Sequence, residues 1–184
     1  MRVLAISGSL RRGSHNTRLL RAAAKLASPT MQVVLFDGLK AVPPYDEDDD
    51  TEPLPAAARR LREEIAAADA ILIATPEYNS SLPGQLKNAI DWASRPFPDN
   101  VLRNKPVAVI GASTGMYGAV WAQAEVRKVL AATGARVIDV ELPVGGADDA
   151  FDGDRLVDEG LHRRLAEILG ELEDAATAHL ALAA

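Results

Sequence analysis

At 184 residues, 48% hydrophobic and 25% charged, the chain sits near the averages of folded globular proteins, which excludes a disordered chain or a long coiled coil and predicts one domain over residues 1–184. Twenty basic against twenty-six acidic residues leave a net charge of −6, which disfavours non-specific binding to nucleic acid or an anionic membrane, so an anionic ligand needs a local site. No cysteine is present, which excludes disulfides, thiolate metal sites and cysteine chemistry, and any redox reaction must use a cofactor.

The first apolar run predicts a strand over Arg2–Ile6. It is too short for a signal peptide, no small-residue cleavage site follows, and no stretch approaches the roughly 18 apolar residues of a membrane span, so the expected location is the cytoplasm. Next comes the loop Ser7-Gly8-Ser9-Leu10-Arg11-Arg12-Gly13-Ser14-His15-Asn16-Thr17, opening a helix over Asn16–Leu26. A helix N-terminus presents unpaired N–H groups and partial positive charge, and the hydroxyls and two arginines add donors, so the segment reads as an anion-binding loop. It carries neither the dinucleotide G-x-G-x-x-G nor the ATPase G-x-x-x-x-G-K-[ST] pattern, which leaves a mononucleotide phosphate. Read singly, its glycines are turn residues, Ser14 or Asn16 a helix cap and the arginines solvated groups. His15 is expected to face solvent, without a catalytic role.

A second strand is predicted over Gln32–Phe36. The acidic tract Asp46–Glu52 lacks the alternating oxygen ligands and central glycine of a calcium loop, so it reads as a solvated surface loop with no metal. A helix over Pro55–Ala68 leads to Ala70–Ala74, an unbroken apolar run of the kind found in strands covered on both faces. Pro76 ends it, Glu77, Tyr78, Asn79, Ser80 and Ser81 form a polar turn in which, read singly, Glu77 is a cap, Tyr78 a packing residue and Asn79 a support of the turn, and Pro83-Gly84 opens a helix over Gly84–Ala93. In that helix Leu86, Ala89, Ile90 and Ala93 share an apolar face. Trp92 reads as core packing, and the polar face of Gly84–Ser94 is the candidate subunit interface.

A fourth strand, Val107–Gly111, runs into the glycine-rich loop Gly111–Gly118, where Gly115 and Gly118 permit close backbone approach to a planar ring and Ser113 and Thr114 offer hydroxyls. A helix over Val120–Ala132, a fifth strand over Arg136–Val140 and a long helix over Asp154–Ala181 complete the pattern, the last with an apolar stripe of Val157, Leu161, Leu165, Ile168 and Leu172. Strand–helix alternation with right-handed crossovers predicts an α/β, doubly wound, five-stranded parallel sheet in the flavodoxin-like order 2-1-3-4-5. Strands one and three are then neighbours, and the loops after strands one, three and four converge on the crevice where such sheets bind ligands. A phosphate at the first loop would project a flat heteroaromatic ring toward Pro76–Ser81.

The segments GSLRRGSHNTRLL, TPEYNSSLPGQLKNAIDW and GASTGMYGAVWAQAEVRKVL together resemble the NADPH-dependent FMN reductase family, including its quinone and chromate reductases. The resemblance implies that Ser9, Arg11, Ser14, Asn16 and Thr17 hold the FMN phosphate, and that Pro76, Glu77, Tyr78, Asn79 and Ser81, with Ser113 and Gly115, lie against the ring. It also implies a homodimer or homotetramer with flavin sites near subunit interfaces, and NADPH or NADH as hydride donor. The electron acceptor it implies is a small molecule: quinone, flavin, azo dye or chromate. No side chain is expected to act as catalytic acid or base, because flavin N5 carries the hydride. His15 and Ser80 depart from the family pattern. Two other readings stand beside this one, a flavodoxin-like electron carrier without pyridine-nucleotide turnover and a non-flavin binding module on the same fold.

Overall fold

The computed structural model describes residues 1–183. In chain order they form β1 (Arg2–Ser7), α1 (His15–Leu26), β2 (Gln32–Phe36), α2 (Ala56–Ala66), β3 (Ala70–Thr75), α3 (Gly84–Ala93), β4 (Pro106–Ala112), α4 (Val120–Ala132), β5 (Arg136–Val137), β6 (Pro143–Val144), β7 (Phe151–Asp152), β8 (Arg155–Leu156) and α5 (Glu159–Ala183). The parallel sheet runs β2-β1-β3-β4-β5, as the alternation predicts.

Strand pleating divides the core between the two faces of this sheet. Val3 and Ala5 of β1, with Leu72 and Ile110, point into the cluster under α1 and α5. Their neighbours Leu4 and Ile6, with Ile71, Ile73 and Val109, point into the cluster under α2, α3 and α4. All six residues of β3 are buried, which explains why its sequence shows no polar alternation. Each Leu or Ile so covered contributes about 1.5–3 kcal/mol relative to exposure.

The fifth strand departs from its expected span. Regular pairing ends at Val137, opposite Val107, and resumes only where Pro143 meets Gly111. Six residues on this strand therefore match four on β4, and the surplus is taken up in an irregular segment where Val140 N–H donates to Ile138 C=O. Pro143 has no N–H to give a ladder, so its place is on this edge strand. The C-terminal helix also starts later than expected. Asp154, Arg155 and Leu156, assigned to its first turn, belong instead to the β7–β8 hairpin, turned at Gly153 with φ +57, and Asp158 Oδ1 then accepts from Leu161 N–H to cap α5. Val157 lies outside the helix and is half exposed, while Leu165, Ile168 and Leu172 are buried as expected.

Trp92 is fully buried, as read from the sequence. Its Nε1–H donates to Pro43 C=O at 2.9 Å, and its ring meets Tyr45 edge-on at 5.0 Å. Asn88, on the same helix, bonds Tyr45 N–H and Pro43 C=O, so it too serves its own chain and is withdrawn from the expected interface face. The acidic tract forms a short 3-10 turn over Glu47–Asp49, capped by Asp46 and largely solvated. Asp50 is the exception, paired with Arg62 at 2.7 Å and mostly buried. Among the described residues no group of three potential ligand side chains is placed to hold a metal, and no helix is long and apolar enough to cross a membrane.

Candidate functional site

The loops after β1, β3 and β4 meet at the carboxyl edge of the sheet around a cleft of about 260 Å³. Gly8 brings the first two together. Its N–H donates to Ala74 C=O at 2.8 Å, and a Cβ there would stand 3.0 Å from Leu86 and 3.2 Å from Pro76. Beyond it, Ser9 and Arg11 line the cleft, and Arg11 is exposed with no hydrogen bond or ion pair among the described residues. Ser14 caps α1 by accepting from Thr17 N–H at 3.1 Å. The N–H groups of His15 and Asn16 take no partner among the described residues, so the first turn of α1 offers two free donors beside a free guanidinium.

Asn16 is 2% exposed, and both halves of its amide are committed. Nδ2 donates to Ala112 C=O and Oδ1 accepts from Ala112 N–H, each at 2.9 Å. It ties α1 to the end of β4, and its main-chain N–H remains free for an anion. Thr17 donates to Ser7 Oγ at 3.1 Å and faces away from the cleft.

The middle loop supplies Pro76, Glu77 and Tyr78 to the cleft. Tyr78 and Ser81 exchange both backbone hydrogen bonds at 3.1 Å, with Asn79 at φ 52 and Ser80 at φ 59. Two successive left-handed residues make this a tight turn of the primed type, for which Asn is suited and Ser is not. Asn79 and Ser81 shape the turn without lining the cleft. Glu77 is a cap, though of a helix far along the chain. Helix α4 begins after Ala119, which offers no capping oxygen, and Glu77 Oε2 accepts from Trp121 and Ala122 N–H at 3.1 Å each. A carboxylate at a helix N-terminus is favoured by the free N–H groups and by the dipole. Glu77→Ala is therefore expected to lower stability by about 1 kcal/mol and Glu77→Gln by less, since the amide oxygen still accepts. Equal thermal midpoints for Glu77→Ala and the parent would refute the cap.

The third wall is Ser113 and Thr114. Ser113 Oγ accepts from Gly115 N–H at 3.1 Å, and Gly115 itself stands outside the cleft. Gly118 does not line the cleft. A Cβ there would fall 2.3 Å from Pro143 C, so this glycine admits the backbone of β6 instead. Gly145 serves the same contact from the other side, its missing Cβ lying 2.4 Å from Met116 O. His15 also differs from expectation. Its ring lines the cleft, stacks on Phe151 at 6.3 Å, and bonds Asp148 through Nε2 at 3.1 Å, leaving the side chain 12% exposed. Of the residues sequence reasoning left unassigned, His15, Ala112 and Thr114 line the cleft. Thr114 alone carried a local signal, its hydroxyl in the glycine-rich loop.

A doubly wound parallel sheet in the order β2-β1-β3-β4-β5, with unpartnered N–H groups at the first turn of α1, a polar turn after β3 and a glycine-rich loop after β4, places the chain in the flavodoxin-like class of folds. The model of the NADPH-dependent FMN reductase family matches residues 1–149, and the chain belongs to that family. An NAD(P)H-dependent FMN reductase of Pseudomonas aeruginosa is 43% identical over 175 residues, covering 94% of each chain. A quinone reductase of Escherichia coli K12 is 40% identical over 79% of this chain and 78% of its own. Among solved structures, the flavoenzyme NAD(P)H:(acceptor) oxidoreductase FerB of Paracoccus denitrificans superposes with a TM-score of 0.84 at 34% identity, covering 97% of this chain and 98% of that one.

Proposed function

We propose that the protein is an FMN-dependent NAD(P)H oxidoreductase that reduces quinones or similar small acceptors. The observation that carries this reading is the pairing of a free-donor first turn at α1 with a polar turn and a hydroxyl loop around one open cleft. The residues present fit the cofactor. The unpartnered N–H groups of His15 and Asn16 and the unpaired Arg11 suit a phosphate monoester. When bound, FMN supplies the hydride and electron-transfer chemistry between nucleotide and acceptor. The chain's part is to bind and orient. Ser9 and Arg11 hold the phosphate end, the Pro76–Tyr78 segment backs the ring, and Ser113 and Thr114 close the third side. Glu77 and Asn16 fix these walls relative to one another, so the cleft is organised before any ligand enters. At about 260 Å³ the cleft is small and open, which leaves one ring face for nucleotide and acceptor in turn.

Arg11→Ala tests the phosphate assignment. FMN affinity is expected to fall about tenfold with an unchanged unfolding midpoint, because Arg11 is exposed and bonds nothing in its own chain. Unaltered FMN titration curves would remove the phosphate from this loop. A homodimer or homotetramer is part of the same proposal. Tyr78, Met116, Tyr117 and Trp121 are exposed beside the cleft, where a second subunit would cover them. Light scattering reads the assembly directly, and a monomer at micromolar concentration would exclude it.

A further inference from the structure

His15 is the first residue of α1, and its ring lines the cleft beside Ser9, Arg11 and Asn16. Its Nε2 lies 3.1 Å from Asp148 Oδ1, and a carboxylate only accepts, so Nε2 carries the hydrogen. In the neutral ring Nδ1 is then a bare acceptor. It is buried and has no partner among the described residues. The ring is held from a distant part of the chain. Phe151 stacks on it, and Arg18 fixes the β7–β8 hairpin to α1 by donating to Gly153 C=O at 2.7 Å. The turn that carries Asp148 is tied to the third wall, Gly146 N–H donating to Gly115 C=O at 3.2 Å and Ala147 N–H to Ser113 C=O at 3.0 Å. Imidazole and carboxylate are thus positioned at the end of the cleft proposed for the phosphate.

The charges around this imidazole oppose one another. Asp148, with Asp149 next to it in the turn, favours the imidazolium. Arg11 in the cleft, Arg18 against the Phe151 ring and the positive end of α1 disfavour it. Glu77, the other carboxylate of the cleft, is committed to the N–H groups of α4. A phosphate monoester at the first turn of α1 adds roughly −1.5 to −2 of charge and favours the charged ring. We propose that His15 is a proton-coupled ligand of the flavin phosphate: its imidazole takes up a proton as FMN binds and, with Asp148 as its second anion, strengthens that binding. The inference rests on the flavin reading above. Because the charged ring is the form that attracts phosphate, the contribution of His15 to affinity is present at low pH and is lost as the pH rises through the histidine range, roughly 6 to 8.

Calorimetric titration of the protein with FMN, in buffers of different ionisation enthalpy, counts the protons taken up on binding. At about pH 7 the parent should take up about half a proton more per FMN than His15→Gln or His15→Phe. The glutamine keeps an N–H donor for Asp148, the phenylalanine keeps a ring against Phe151, and neither titrates. The parent should bind FMN about tenfold more tightly than either variant at about pH 6, and most of that gap should close by about pH 8.5. Comparison with the variants cancels the second ionisation of the phosphate itself. Riboflavin, which carries the flavin ring without the phosphate, should give the same proton count in all three proteins. Equal counts with FMN in the parent and both variants would overturn the assignment, as would a His15-dependent count with riboflavin. An affinity gap that stays constant with pH would also overturn it and make His15 a packing residue alone. A parent that binds no FMN at any of these pH values would instead refute the flavin reading, and this inference with it.

Discussion

Gly118→Ala is expected to destabilise the fold by about 3 kcal/mol or more and to abolish FMN binding at micromolar concentrations. The added Cβ would stand 2.3 Å from Pro143 C, 2.5 Å from Val144 N and 2.7 Å from Pro143 Cα. All three are backbone atoms. They cannot rotate away as a side-chain tip would, and β6 is itself held in the sheet by its pairing with Gly111 and Ala112. The residue also sits at φ +57, which adds roughly 1–2 kcal/mol of steric cost for any L side chain. Relief requires the Ser113–Gly118 loop to lift off β6, breaking Ser113 N–H to Val144 C=O at 3.0 Å and moving the third wall of the cleft. Two other glycines separate clash from conformation. Gly146 has φ +55 with nothing within 4 Å of where a Cβ would stand, so Gly146→Ala should cost only the backbone strain. Gly13 has neither restriction, and Gly13→Ala should be close to neutral. Denaturant midpoints for the three variants, with FMN titration of each, read the difference. Equal midpoints for Gly118→Ala and Gly146→Ala would show that β6 yields.

Asn16→Ala is the second large effect, about 2–4 kcal/mol in stability and on the order of tenfold or more in FMN affinity. The substitution deletes two hydrogen bonds of 2.9 Å and leaves the N–H and C=O of Ala112, itself 2% exposed, without those partners. Stranding a buried backbone group costs more than the bonds contribute net, because desolvation is then uncompensated. The functional loss follows from position. Asn16 joins the first turn of α1, where the phosphate is proposed to sit, to the strand end that carries Ser113 and Thr114, so two walls loosen together. Its flavin effect should therefore accompany a lower unfolding midpoint. Arg11→Ala should show the affinity loss alone, and the contrast distinguishes a positioning residue from a direct ligand. An Asn16→Ala protein with the parent's midpoint would refute the strut.

Several of the decisive contacts had no local signature. The unbroken apolar run at Ala70–Ala74 announced a strand covered on both faces, and the strand it forms is wholly buried. Pro76 and Pro83-Gly84 bracketed the turn between them. By contrast, the sequence around Glu77 does not reveal that its carboxylate caps a helix beginning at Val120, since that contact exists only because β3 and β4 are neighbours. His15 read as a loop residue facing solvent, yet Phe151 of the β7–β8 hairpin and Asp148 in the turn before it cover it from more than a hundred residues away. The fifth strand failed for a related reason. Arg136–Val140 has strand composition throughout, but its pairing depends on β4, which it leaves after Val137 and rejoins at Pro143.

By itself, then, the order of apolar runs and helical periods determined the doubly wound sheet and the strand order, and with them the edge at which the loops after β1, β3 and β4 gather. Those signals are local, carried by side-chain period, helix-opening prolines and turn residues. The tertiary structure decided which polar groups remain free for a ligand. Asn16, Glu77, Thr17 and Gly118 are consumed in holding the loops together, whereas Arg11 and the first N–H groups of α1 stay available. A side chain's partners are set by strand register and by backbone approaches of a few ångströms, and no spacing within one segment encodes either.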